Sequence, residues 1–486
     1  MKKSSDDLYL LIKSLSKTER AYFKKFAKRF ASAENFSLKL FEEIERQVEK
    51  NIEYDEELIS VKLGKRENLN QLSVAKNYLY DLILRSLLAI RAEKSLDDKL
   101  DKYVINIELL MDKALFQQAW KILRKAKKIS YSYENFSKLY SILQYEKNLL
   151  LEGIYDNVEQ KLNDVFKEEL NALQKLKKKS EIQNLGSRLS ALILNNGYLQ
   201  NKNEIRKAKE IMNHPHLKKL DESDTYTIKT FFYHLHTAYY NMTGDHIKYF
   251  NYTKQFLEMI EANPLQIARR ATNYFFASHN MVSACTYAKK YDEFFYYLER
   301  FRSIPERYKI LHTDYIKNLL FLSYKMELIM FYDTGQFENG ITLAESIANK
   351  LQQYQPKIGN TETFQFYFYI SCMYFGKGDY NNALNWINKI LNAPEPDHRK
   401  DLYAHSKIYN LVIHYELGNR EHLEYIVNNT FKFWKDRNRI TKFESAVFKH
   451  FKNLKNSVTK NEVKDSFGEF LYELQKLYKS TEERHS

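Results

Sequence analysis

Residues 364–375, FQFYFYISCMYF, are almost continuously apolar and aromatic. Residues 381–391, NNALNWINKIL, instead place Ala383, Ile387, Ile390 and Leu391 on one face at helical spacing. Between the two runs stands Gly378-Asp379-Tyr380. A permissive residue between two helix-period segments predicts an antiparallel helical hairpin. The same turn position recurs at Ala114, Gly153, Gly244, Lys289, Gly335 and Gly418, with a blurred copy at Asn201, and successive copies lie between 39 and 48 residues apart. A recurrence at that period predicts an array of helical repeats rather than unrelated helices.

Proline follows the same rhythm. Positions 215, 264, 305, 356, 394 and 396 all fall where the second helix of a hairpin is expected to have stopped. With only 12 Gly and 6 Pro among 486 residues, strands with frequent turns are excluded and an all-α chain is expected.

The copy around Gly378 resembles the tetratricopeptide-repeat (TPR) family residue by residue. Tyr367 and Tyr374 stand at its first-helix aromatic positions and Ile370-Ser371 at its Leu-small pair. Gly378, Asp379 and Tyr380 match its turn, Ala383 the small residue opening its second helix, and Pro394 or Pro396 its terminal proline. Around Ala114 the same pattern is carried by Tyr103, Leu110, Phe116, Ala119, Leu123 and Ala126. The resemblance implies a TPR-like right-handed α-solenoid of about eight helical hairpins over residues 100–440. Its spacing exceeds the family's period of about 34 residues by up to three helical turns. Residues 1–99 lack the signature and read as an N-terminal helical module, with breaks around 32–35, 51–55 and 64–68. Residues 441–486 read as capping helices and a frayed tail, with Phe467, Phe470, Leu471, Leu474 and Tyr478 on one face.

Stacked hairpins expose a concave face built from their first helices, and on the TPR-like alignment that face carries His234, Asn241, His279, Asn280, Lys325, Tyr332, Gln365, Tyr369, Tyr409 and Tyr415. Rigid aromatics mixed with hydrogen-bonding groups suit capture of a protein or peptide, so a non-enzymatic binding scaffold is expected. The family's Lys/Asn clamp for a terminal carboxylate does not carry over, because the aligned asparagine positions hold Ala238, Ser283, Ile329, Cys372 and Val412.

The net charge of +14 raises an alternative partner. Most of the excess is diffuse, but residues 1–50 hold 12 basic and 8 acidic side chains, and in residues 17–30 a 100° step collects Lys17, Arg20, Lys24, Lys25, Lys28 and Arg29 on one half of a helix. Phe23, Phe26, Ala27 and Phe30 take the other half. Such a face fits either solvent or an anionic partner, and the second option makes the chain a nucleic-acid-associated regulator. Residues 54–87 imitate a helix-turn-helix around Gly64. The would-be recognition helix, however, carries only Lys76 and Arg85 amid Leu72, Val74, Ala75, Leu79, Leu82, Ile83 and Leu87, a composition suited to a core.

Chemistry is otherwise sparse. Neither His214-Pro215-His216 nor Tyr233-His234-Leu235-His236 has the spacing of a metal pair on a helix, and no phosphate-binding or nucleophile motif occurs, so no enzyme, metal or cofactor is expected. Cys285 and Cys372 form no close pair, which fits a reducing cytoplasm. The most apolar stretch, 318–332, is broken by Lys325 and Glu327, and no export signal is visible, so no membrane association is expected.

Overall fold

A computed structural model of the chain describes residues 6–28, 36–50, 52, 54–63, 69–91, 96–152, 156–194, 202–269, 271–308, 313–358, 360–393, 400–435, 442–454 and 460–478. Every regular element among these residues is a helix. No helix among them is long and apolar enough to cross a membrane. The chain divides into two compact units, Met1–Leu176 and Lys177–Ser486.

The first unit opens with α1 (Asp7–Ser14), α2 (Lys17–Lys28), α3 (Phe36–Glu49), α4 (Glu56–Lys62) and α5 (Leu69–Arg91). These pack around Ile12, Phe23, Leu40, Phe41, Ile44, Leu79 and Ile83, all essentially inaccessible to solvent. Of the expected breaks, residues 54–55 separate α3 from α4, and 32–35 and 64–68 lie outside the described residues. The start of α2 is fixed by Ser16 and Glu19, since the Ser16 amide donates to Glu19 Oε2 at 2.8 Å and the Glu19 amide to Ser16 Oγ at 3.3 Å. That reciprocal pair is a capping box. In α5 the residues Leu72, Leu79, Leu82 and Ile83 are buried, as a core helix requires, whereas Val74 is 69% exposed against expectation, and Gly64 lies outside the described residues. The unit continues with α6 (Leu96–Asp112), α7 (Phe116–Ser132) and α8 (Phe136–Glu152).

Next comes α9 (Val158–Leu194), a single helix of 37 residues that runs from the first unit into the second. The repeat spacing predicts two helices here, and the structure has one. Residues 158–194 contain no proline, and their one glycine, Gly186, serves packing instead of a turn: a Cβ there would meet Leu235 Cδ2 at 3.4 Å.

In the second unit, α10 (Lys202–Met212) and α11 (Pro215–Lys218) lead to α12 (Tyr226–Met242), α13 (His246–Glu261), α14 (Pro264–Arg269), α15 (Ala271–Tyr287), α16 (Tyr291–Arg302) and α17 (Ile304–Tyr308). Then follow α18 (Thr313–Asp333), α19 (Phe337–Ile358), α20 (Asn360–Gly376), α21 (Tyr380–Leu391), α22 (Lys400–Glu416) and α23 (Arg420–Lys435), with α24 (Lys442–Leu454) and α25 (Lys460–Tyr478) last. The pairs α12/α13, α15/α16, α18/α19, α20/α21 and α22/α23 each pack together, and so do the first helices α15 with α18, α18 with α20, and α20 with α22. A continuous apolar cluster from Tyr226 to Met373 holds the middle of the unit together.

One backbone motif makes these hairpins. At Gly378, φ is +84°, its amide donates to Phe375 O at 2.9 Å, and the next amide, Asp379, reaches back to Tyr374 O at 2.9 Å. These are the two bonds of a Schellman cap, which satisfy carbonyls that the ending helix leaves free. Asp379 then caps the next helix by accepting from the Asn382 amide at 3.1 Å, so two residues end one helix and start another. The same pair of reverse bonds occurs at Gly244, Gly335 and Gly418, and also at Ala114 and Lys289, whose φ values are +55° and +56°. A further copy at Glu134, φ +53°, joins α7 to α8 and was not expected from the sequence. The turn positions Gly153 and Asn201 lie outside the described residues.

Proline behaves differently from a pure terminator. Pro215 and Pro264 are the first residues of α11 and α14 and Pro305 the second of α17, so each follows a finished helix and opens a short new one. A helix tolerates proline there because the missing N–H has no intrahelical partner to lose. Pro356 departs from expectation: α19 continues through it to Ile358. Pro394 and Pro396 lie outside the described residues. At the C-terminus the expected capping face is only partly used. Phe470 and Val463 pack on the last cluster, whereas Phe467 is 39% and Leu471 57% exposed.

Candidate partner-binding face

Packing of the first helices brings part of the expected face together. Lys325 on α18 donates from Nζ to Gln365 Oε1 on α20 at 3.1 Å, which ties two consecutive hairpins. His279, on α15, lies within electrostatic reach of Lys325 and bonds to the Asn280 side chain. Burial, with a smaller contribution from the Lys325 charge, holds the His279 imidazole down to about 4, so the ring is neutral at pH 7. Its Nε2 is sealed from solvent and has no hydrogen-bond partner among the described residues. Only an outer portion of the side chain reaches the surface.

A second group is aromatic. Tyr332 and Tyr369 meet edge to face with ring centroids 6.3 Å apart, and Tyr332 is 45% exposed. Tyr409 lies deeper, 5.5 Å from the Phe368 ring and 5.4 Å from that of Phe375. Burial raises its phenol well above the usual range, with the Cys372 thiol hydrogen-bonded to it. Cys372 is itself buried, and burial pushes its thiol up to about 12. Cys372 is therefore an inert packing group beside Tyr409. Nothing in the sequence pairs Cys372 with Tyr409, 37 positions away.

Three expected residues stand apart. On α12, His234 is solvent-exposed while surrounding protein lowers its pKa, and Asn241 sits in the last turn, where its carbonyl accepts from the Gly244 amide. No hydrogen bond or ring contact among the described residues joins either to the group on α15, α18 and α20. Tyr415 turns to the end of the unit. Its ring meets Phe451 on α24 at 6.2 Å and Phe467 on α25 at 5.7 Å, so the terminal helices cover it.

In the first unit the cations of α2 are only partly free. Lys17, Lys25 and Lys28 are exposed. Lys24 pairs with the buried Glu45 at 2.6 Å and lies over the Phe41 ring at 5.9 Å, and Arg20 donates from Nε to Leu15 O at 3.1 Å. Arg29 and Phe30 lie outside the described residues.

The histidine pairs have protein partners. His236 is buried, with Nδ1 2.9 Å from Phe232 O and its ring stacked on Tyr252 at 4.5 Å. His216 Nε2 lies 2.8 Å from Glu181 Oε2, and His214 Nδ1 accepts from the His216 amide. Comparison with family models, curated proteins and solved structures gives no match.

Proposed function

We propose that the chain is a non-enzymatic scaffold that holds a protein or peptide partner on the first helices of its second unit, arranged as a TPR-like right-handed array. The observation that carries this reading is the ordered packing of α15, α18, α20 and α22. Each of these first helices packs on the next, which supports a strip of side chains at matching positions. On that strip the accessible groups are Tyr332, the outer edge of Tyr369, and the Lys325–Gln365 pair. A half-exposed tyrosine on the same helix as the paired lysine, seven residues along, offers apolar area with hydrogen-bonding groups, the composition of an interface anchor. Tyr409 contributes by packing and Tyr415 belongs to the terminal helices, so neither is assigned to contact. An anionic partner for α2 is less favoured, because Lys24 and Arg20 are engaged within their own module.

The test compares wild type with a Tyr332→Ala, Lys325→Ala variant as immobilised baits in native lysate, with and without nuclease. The expected result is a nuclease-resistant protein partner whose affinity falls by about 2 kcal/mol or more in a variant that stays folded, its melting temperature lowered only by the loss of the Lys325–Gln365 bond. Release of the catch by nuclease, or equal capture by both baits, overturns the reading.

A further inference from the structure

Beyond the first-helix strip, the end of the second unit contains a cavity of about 200 Å³. Its walls are Leu423 and Val427 of α23, Phe451 and Leu454 of α24, and Val463 of α25, of which the first four are at most 7% exposed. Tyr415 of α22 also lines it, with its ring at 79° to that of Phe451. Among the described residues, the charged and amide lining groups are Glu424, Asn428 and Lys452, all exposed. The space thus has an apolar floor and a polar rim.

Two considerations define what fits. An apolar floor gives water few partners, and walls facing a void forgo dispersion contacts on that side. Apolar cavities on the order of 150 Å³ take up benzene, whereas drug-sized pockets begin at about 300 Å³. The size therefore selects a single ring or a small fused pair. Among the described residues the rim carries one anion, one cation and one amide, so their formal charge is balanced: an ionic ligand would meet a like charge as well as an opposite one, and a neutral hydrogen-bonding group meets only complementary dipoles.

We infer that this cavity is a binding site for a small neutral aromatic molecule with one hydrogen-bonding group, of the indole or phenol class, its ring on the Val427–Phe451 floor and its polar atom at the Glu424–Asn428–Lys452 rim. The inference is independent of the first-helix strip, since none of the residues assigned to partner contact lines the cavity.

The test titrates the full chain with indole, using benzoate and benzylamine as charged controls. Wild type is expected to saturate at one site, to melt at a higher temperature with indole present, and to bind each charged control at least tenfold more weakly. NOEs from indole to the Val427 and Val463 methyls are expected to locate it, so the result does not depend on any variant folding. Val427→Phe, and Val463→Phe from the facing wall, fill the space and are expected to weaken indole at least tenfold. Absence of saturable indole binding, absence of those NOEs, or binding undiminished in a folded filled variant overturns the site. Equal affinity for benzoate or benzylamine overturns the neutral ligand class.

Discussion

Lys325 Nζ donates to Gln365 Oε1 at 3.1 Å, a side-chain bond between the first helices of two consecutive hairpins. Helices packed at this distance bury apolar residues below the pair, including Leu328, Phe366 and Ile370, all inaccessible to solvent. The bond therefore sits above a formed core and adjusts the strip without creating it.

A double-mutant cycle reads that bond. Lys325→Met and Gln365→Leu keep the aliphatic bulk and remove the polar ends. A hydrogen bond with one charged partner at a half-buried site is expected to show a coupling energy of about 1 kcal/mol in urea unfolding. Additive single mutants would show that the two ends do not interact in solution.

His279 makes stability depend on pH. Its folded-state pKa, held down to about 4, lies below the ordinary value of 6.5. Between those values the unfolded chain binds a proton that the native one excludes, so stability is present above pH 6.5 and is lost as pH falls toward 4. At pH 5 the loss from this residue is about 2 kcal/mol. His279→Gln, which does not titrate, is expected to show a smaller drop in melting temperature from pH 7 to pH 5 than wild type. His234, His236 and His450, whose pKa values are also lowered by the surrounding protein, remain in both proteins, so the difference isolates His279. Parallel curves for the two proteins would place the imidazole in a more open site.

The hairpin turns predict a stabilising change. Lys289 adopts the left-handed conformation that Gly378 adopts in the matching turn, and a side chain there crowds its own backbone. Lys289→Gly relieves the crowding at the expense of a more flexible unfolded chain, so the net gain is expected to be roughly 0.5–1 kcal/mol. Gly378→Ala imposes the crowding and is expected to cost about 1 kcal/mol. Chemical denaturation of both variants checks the pair. A Lys289→Gly variant less stable than wild type would mean that the lysine makes compensating contacts.

Those turns also show what could be read in the chain beforehand. Glycine at four turns, flanked by helix-period runs, revealed the hairpins, and the period then located Ala114 and Lys289 although their side chains give no such sign. Glu134 escaped because it is neither glycine nor on the period: it lies 20 residues after Ala114. The unbroken α9 escaped because a repeat period is a tendency among hairpins, whereas residues 158–194 contain no proline and a single glycine, Gly186, that packs against Leu235. For the candidate face, helix phase was enough to choose side chains but could not say what would cover them. Tyr409 and Tyr415 share one helix, yet one packs on Phe368 and Phe375 and the other under α24 and α25.

The cations of α2 separate stability from partner binding. By phase, Lys24, Lys25 and Lys28 look equivalent, but Lys24 neutralises Glu45, which is 7% exposed, and the other two face solvent. Reversing Lys24 to Glu leaves Glu45 without its cation and adds a like charge beside it. The expected cost is about 1–2 kcal/mol, less than for a fully buried pair because the Lys24 side chain is 38% exposed. Lys25→Glu with Lys28→Glu should leave the melting temperature within about a degree of wild type, since exposed charges away from partners change stability by less than about 0.5 kcal/mol. The exposed pair is therefore the proper probe for nucleic acid. If the double variant loses a salt-dependent association with RNA or DNA that wild type shows, α2 is an anion-binding face. If wild type shows none at low salt, its exposed lysines form a solvated surface. A Lys24→Glu variant as stable as wild type would mean that Glu45 reaches solvent when its partner is gone.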